Sequence, residues 1–336
     1  MRIKNMNVSI RDIAEKAGVH PSTVSLALRG SSRIPEATRE RIAAIAEEIG
    51  YRPNYIAKAL AGHKTQLIGI VVPKLHDSYI IDVITAQENW LQNAGYGSLL
   101  TVTHVRPQME MKAVDDLIGR GVDGIAFNYI PKDLEVMRYL DEQSRKGVRF
   151  AMFGESELSK VVHVSWEGEE CGYVITKYLL SLGHKRIAHI AIDSDDFRVE
   201  GYLRALREAG IPIDPQLCCT MDYGFQDVSD LRKELMSLKD RPTAIFAYND
   251  DLAAELMAEL CDSGYDIPGD VSIVGVNDGW YSSKLRVPLT TFRLPAAQMG
   301  IELVKLLVAD PADQKLPLKK FRGELIIRKS TGPAAL

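Results

Sequence analysis

Two hydrophobic rhythms divide the chain. Up to about residue 62, apolar residues recur at helical spacing; from Leu67 onward, short apolar runs alternate with helical stretches. In the first part Ile10, Ile13, Ala14 and Ala17 share one helical face. Ser9 followed by Asp12 is a capping-box-like start to that helix. Ala17-Gly18-Val19 predicts a sharp turn, since glycine suits the left-handed residue that ends a helix. Pro21, tolerated at a first helical position, opens a second helix over about 21–29. Val24 and Leu28 are expected to face inward, and Ser22, Ser25, Leu26 and Arg29 outward. Pro35 opens a third helix that runs to about Ile49, with Ile42, Ile45, Ala46 and Ile49 buried, and Gly50 stops it. Tyr51-Arg52-Pro53 is extended, because the residue before proline avoids helix. Asn54 then caps a short helix reaching Leu60 or Ala61. A helix of that length is marginal in water, so it is expected to form only when it docks.

From Leu67 the spacing predicts strands at 67–72, 98–102, 124–127 and 148–153, with helices at 79–94, 109–120 and 134–145 between them. The alternation restarts after residue 164. Strands are expected at 186–192, 218–221, 243–247 and 272–276, with helices at 170–182, 199–209, 228–239 and 251–263. Alternating strand and helix with fully apolar runs is the pattern of parallel sheets wrapped by helices. The fold class is therefore an all-α head joined to a two-lobed α/β body.

Charge separates the two parts. Residues 1–64 hold eleven Lys/Arg against six Asp/Glu, a net +5, so the remainder carries −9 of the total −4. Two short helices meeting at a glycine turn are either a plain helical bundle or a helix-turn-helix. A basic head on an acidic body favours the second, because the phosphate backbone rewards clustered cations. Cys171, Cys218, Cys219 and Cys261 show no metal-ligand spacing and read as reduced thiols of a cytoplasmic protein. The first residues hold no apolar segment and no apolar run reaches membrane length, so neither a leader nor a membrane span is expected. Neither a Gly-x-Gly-x-x-Gly after a strand, a Gly-x-Ser-x-Gly elbow nor a His-Glu-x-x-His occurs, so an enzyme is not expected, nor any cofactor or metal.

Specific motifs sharpen this. Val8-Ser9-Ile10-Arg11-Asp12-Ile13-Ala14-Glu15-Lys16-Ala17-Gly18-Val19 and Ser22-Thr23-Val24-Ser25-Leu26-Ala27-Leu28-Arg29-Gly30 resemble the head of the lactose/galactose-repressor family. Thr38-Arg39-Glu40-Arg41-Ile42, Gly50-Tyr51-Arg52-Pro53-Asn54 and Ala57-Lys58-Ala59-Leu60 extend the resemblance, which reaches about Thr331. It implies a helix-turn-helix head at 1–50, a hinge helix and linker at 51–65, and a periplasmic-binding-protein-like body at 66–331. The first lobe would take 66–164 and 293–322, and the second 165–292 and 323–331, with crossovers near Ser165, Phe292 and Gly323. In the head, Ser9, His20, Pro21, Ser22, Thr23, Ser25, Leu26, Arg29, Arg33 and Thr38 are the residues expected against DNA. In the hinge they are Asn54, Ala57, Lys58, Leu60 and Ala61, with Leu60 as the apolar wedge that opens a base step in the minor groove.

Ligands of open parallel sheets sit beyond the carboxyl ends of the strands. The loops collected there mix carboxylates, amides, one arginine and aromatics, which suits a small polar molecule with several hydroxyls. The resemblance points to Arg198, three residues before Gly201, and to Asn128, Glu155, Asn249, Asp250 and Asn277; Tyr79 completes the set. Asp250 is equally suited to cap the helix that follows it. Trp166 and Trp280 are open between cleft and core. The chain departs from the family pattern at Gly154-Glu155-Ser156 and Trp166-Glu167, so the effector need not be a familiar sugar. His20 stands where a serine usually caps the recognition helix, which predicts a weaker cap. The expected function is a homodimeric repressor that binds a pseudo-palindromic operator and answers to a small, carbohydrate-like effector, with no membrane partner. The alternative is a solute-binding sensor without operator recognition.

Overall fold

A computed structural model describes residues 8–28, 30–51, 64–75, 77–158, 160–192, 196–221, 228–309 and 318–334. The chain forms two compact units, Met1–Thr65 and Gln66–Leu336.

The first unit contains α1 (Ile10–Ala17), α2 (Pro21–Leu28) and α3 (Glu36–Glu48). They close over Ile13, Ala14, Ala17, Val24, Ala27, Ile42 and Ala46. Asp12 accepts from the Ser9 N–H at 2.6 Å and from the Ser9 hydroxyl at 2.7 Å, which fixes the start of α1. Gly18 ends it at φ +63°, and Val19 N–H reaches back to the Ala14 carbonyl at 3.0 Å. Arg41 Nη2 donates to the Ala17 carbonyl at 3.1 Å, meeting an acceptor the helix end leaves open. On α2 the expectation for Leu28 is corrected: Ala27 is buried with Val24, while Leu28 is 38% exposed. Positions 27 and 28 lie three and four residues beyond Val24, on adjacent rows of the helix. The smaller Ala27 lets the backbones approach. Arg29 and the expected hinge helix at 54–61 lie outside the described residues.

The second unit holds two six-stranded sheets. The first receives β1 (Leu67–Val72), β2 (Gly97–Val102), β3 (Gly124–Phe127), β4 (Phe150–Phe153) and β5 (Val162–Trp166). Between them run α4 (Ser78–Asn93), α5 (Pro107–Gly119) and α6 (Leu134–Arg145). The chain then passes to the second sheet through α7 (Gly168–Ser181). There it lays down β6 (Ile187–Ala191), β7 (Cys218–Thr220), β8 (Ala244–Ala247), β9 (Ser272–Val276) and β10 (Thr290–Arg293). The helices here are α8 (Phe197–Glu208), α9 (Val228–Met236) and α10 (Asp250–Asp262). Next, α11 (Ala296–Val308) returns to pack Met299, Leu303 and Val304 into the core of the first sheet. Finally β11 (Leu318–Phe321) joins the first sheet beside β5, and β12 (Glu324–Ile326) the second beside β10. All pairings are parallel except β10 with β12. Three crossings thus join the lobes, after Trp166, after Arg293 and after Phe321.

The strands with continuous apolar runs match their expected spans within one or two residues. Strands β5, β10 and β11, which flank the crossings, are not marked by such runs. Leu-Lys-Lys-Phe in β11 is a charged edge sequence, since the outermost strand of a sheet gains by repelling further strands.

Among the described residues no helix is long and apolar enough to cross a membrane. Cys171, Cys218, Cys219 and Cys261 are free thiols.

Candidate functional site

In the head, α2 turns one side to the core and the other to solvent. Ser22 is exposed, and Pro21, Thr23, Ser25 and Leu26 are half-buried, while Val24 and Ala27 anchor the other side. Ser9, His20 and Arg33 are also exposed, and Thr38 is half-buried at the start of α3. His20 corrects its expected role. Its Nδ1 lies 2.8 Å from the Ser22 hydroxyl and accepts the Ser22 N–H at 3.3 Å. The imidazole therefore does what a serine hydroxyl would do, because its ring nitrogen reaches the same open N–H. Arg39 Nη1 donates to the Gly30 carbonyl at 3.1 Å and fixes the loop that follows α2.

The body builds its site around Arg198, in the first turn of α8. Gly172 and Gly201 let α7 and α8 cross almost backbone to backbone. A Cβ on Gly172 would stand 2.0 Å from the Arg198 carbonyl, and one on Gly201 1.9 Å from the Glu169 carbonyl. This crossing carries Arg198 into the protein, where 6% of it remains exposed. Asp196 caps α8, accepting the Arg198 N–H at 3.0 Å, and also takes the guanidinium Nε at 2.7 and 3.0 Å. Burial opposes ionisation of Asp196, but the Arg198 charge and its hydrogen bonds hold the carboxyl below its ordinary range. Nη1 donates to the Tyr248 carbonyl at 2.7 Å. The guanidinium carbon lies 3.9 Å from the centre of the Tyr248 ring and 5.5 Å from that of Trp166. The Tyr248 phenol is a further hydrogen-bond partner of the guanidinium, so Arg198 is tied to Tyr248 by ring, hydroxyl and backbone.

The first lobe supplies Tyr79, which packs against the cores of both lobes and places its hydroxyl 3.7 Å from Met299 Sδ. Burial, with Asp77 nearby, pushes the Tyr79 phenol well above its ordinary value. Asp77 caps α4 and Ser78 lies against Gly279 of the other lobe, so the cleft is closed at this end.

The remaining expected residues take other partners. Asn128 pairs face to face with buried Gln87, at 2.8 and 3.3 Å. Glu155 binds Lys320 at 2.7 Å, at the crossings. Asn249 caps α10 by accepting the Leu252 N–H at 2.9 Å. Asp250 is fully buried and accepts from Ser282 and Thr291 at 2.5 Å and from the Gly279 N–H at 2.8 Å. Burial pushes its carboxyl up to about 6 against the pull of those donors. Asn277 sits at φ +108° and holds β9 to β10 through Phe292. The geometry thus joins Tyr79 and Arg198 with Asp196 and Tyr248, which only their position after a strand could have flagged, and with Trp166, which the sequence left open between cleft and core. Trp280 is 67% exposed and is not part of the core. Among the described residues no group of His, Cys, Asp and Glu side chains is placed to hold a metal.

Known proteins share this layout. Residues 9–54 match the family described as bacterial regulatory proteins, lacI family, and residues 176–331 match a periplasmic binding protein-like domain. The HTH-type transcriptional regulator DegA of Bacillus subtilis (strain 168) is 31% identical, covering 98% of this chain and 99% of its own. The chain belongs to the lacI family.

Another member, the HTH-type transcriptional repressor CytR of Escherichia coli (strain K12), is 30% identical over 96% of both chains. The lac repressor dimer bound to operator and the anti-inducer ONPF has the same fold, with a TM-score of 0.84 at 24% identity, covering 97% of this chain and 99% of that one. A CelR–cellobiose complex gives a TM-score of 0.72 at 26% identity, covering 96% of this chain and all of that one. This lacI-family chain is accordingly a DNA-binding transcriptional regulator, with a helix-turn-helix head and two parallel-sheet lobes.

Proposed function

We propose that this regulator is a homodimeric repressor whose operator affinity is set by a small polar effector held between the lobes at Arg198. The organisation is a head at 1–50, a hinge and linker at 51–65 and an effector-binding body at 66–331. The observation that carries the reading is the Arg198 cluster. A buried guanidinium is gripped by Asp196 and Tyr248 and flanked by Trp166, a charged fork of five donors set among aromatic rings. Buried polar groups seek partners, and a hydroxyl-rich ligand under aromatic rings supplies them. One related structure is a cellobiose complex, and a carbohydrate or carbohydrate derivative fits the same chemistry here.

Effector binding changes the angle between the lobes and hence the spacing of the two hinge segments of a dimer. The ligand must then bind the two lobe arrangements unequally. In the head, Ser22, Leu26 and Arg29 read base edges, with Leu26 against a thymine methyl. In the hinge, Leu60 is the minor-groove wedge. The protein works as a cytoplasmic regulator, without catalysis.

Selection of genomic duplexes on the full chain tests this, followed by a sugar screen on the selected duplex. A sugar that shifts operator affinity in the parent and not in Arg198→Lys supports the reading. A shift that survives the substitution contradicts it.

A further inference from the structure

A second recess lies beside this cluster. A cavity of about 870 Å³ opens where the three crossings run together, and Arg198 does not line it. Its walls come from the first crossing at Ser165–Gly168, from Phe292 before the second, and from the third at Lys320–Leu325, with Phe197 at the start of α8. Trp166 borders both the cavity and the guanidinium of Arg198.

Two features of the lining point to one ligand class. The first is charge. Glu155, Glu167, Glu169, Glu170 and Glu324 face Lys320, Arg322 and Arg204, so five carboxylates meet three cations. Glu155 has Lys320, Glu167 has Arg322 and Glu324 has Arg293 from outside the cavity, whereas Glu169 and Glu170 share Arg204, so the surplus is one carboxylate and lies at Glu169 and Glu170. The helix dipole favours acids in the first turn of α7, yet one carboxylate there stays without a cation of its own. The second is apolar surface. Phe197 stands 62% exposed on the rim, with Trp166, Val174, Phe292 and Leu325 around it. Aromatic rings beside a surplus carboxylate attract a cation that carries an apolar body, and they disfavour an anion.

We propose that this cavity is a second ligand site, for a small organic cation with a planar or apolar body. The ammonium sits among Glu167, Glu169 and Glu170, and the body lies against Trp166 and Phe197. Because such a ligand touches all three crossings and both lobes, it fixes their relative angle. If the effector reading above holds, the site is a further control on operator binding.

Calorimetric titration of the full chain with benzylamine, benzyl alcohol and benzoate tests the site itself. Benzylamine is expected to bind saturably, benzyl alcohol about tenfold more weakly and benzoate not at all. Glu167→Gln with Glu170→Gln is expected to cost the amine about tenfold and erase its preference over the alcohol. Phe197→Ala, on an exposed side chain, is expected to weaken amine and alcohol alike. Trp280→Ala, at an exposed aromatic that does not line the cavity, is expected to leave amine binding unchanged. No saturable amine binding, equal binding of all three probes, or full amine affinity in the glutamate variant with an unchanged melting curve would overturn the proposal. So would loss of binding in Trp280→Ala, which would place the amine on an exposed aromatic outside the cavity. Neither result bears on whether a sugar acts at Arg198, since the sugar screen reads a different site.

Discussion

Arg198 lies over Tyr248, its guanidinium carbon 3.9 Å from the ring centre, and donates to the carbonyl of the same residue at 2.7 Å. One residue of β8's following loop thus holds the arginine by ring and backbone together. Asp196 holds it from the other side, with both side chains at most 7% exposed. Removing one member of a buried pair strands the other charge. Arg198→Met is expected to cost about 3–5 kcal/mol of stability in urea unfolding. Adding Asp196→Asn is expected to recover part of that loss, and strict additivity of the two changes would contradict the coupling.

The close crossing of α7 and α8 makes Gly172 and Gly201 intolerant of a side chain. Their nearest neighbours are backbone carbonyls, which cannot swing aside. Gly172→Ala and Gly201→Ala are each expected to cost more than about 2 kcal/mol and to weaken effector binding, because Arg198 moves with its helix. Gly119→Ala, with nothing within 4 Å of the added carbon, serves as the control and is expected to be near neutral. Equal melting temperatures for all three would contradict the packing account.

His20 makes the cap of α2 testable. His20→Ala removes the acceptor of the Ser22 N–H and is expected to cost about 1 kcal/mol in the head, with a matching fall in operator affinity. His20→Ser or His20→Asn is expected to restore both. Indistinguishable alanine and asparagine variants would show that the imidazole does not act as a cap.

Two buried groups give opposite pH dependences. Burial raises the Asp250 carboxyl from 3.8 to about 6, so the folded chain binds its proton more readily than the unfolded chain. The stability it lends is fully present below about pH 4 and is lost as pH rises through about 6. Burial lowers the His189 imidazole from 6.5 to about 4. The stability from keeping it neutral is present above about pH 6.5 and is lost as pH falls towards 4. The stability of the parent relative to Asp250→Asn is therefore expected to fall from pH 4 to 6 in urea titrations. A constant or rising difference would contradict the Asp250 environment.

How much was legible in the sequence depended on what each residue had to satisfy. Leu67–Val72 and Ser272–Val276 are buried on both faces, and their unbroken apolar runs mark them. Leu318–Phe321 answers to an edge and to ion pairs at the crossings, so its pattern carries no strand signal. Within the candidate site, Arg198 was reached through the family resemblance at its spacing from Gly201, and the structure shows it buried at the crossing of α7 and α8. Asn128 was correctly placed after a strand, but its side chain pairs with Gln87, forty-one residues away, a contact no local pattern encodes. His20 looked like a defective cap because propensity ranks residue types and does not see that Nδ1 reaches the open N–H.

The most direct measurement is a fluorescence-anisotropy titration of the full chain against duplexes selected from genomic DNA, repeated at rising salt. The expected result is tight binding to a pseudo-palindrome that weakens with salt yet stays well above binding to random duplex, and that falls sharply in Leu60→Ala. Weak binding that ignores sequence at every salt concentration would contradict the operator-binding account.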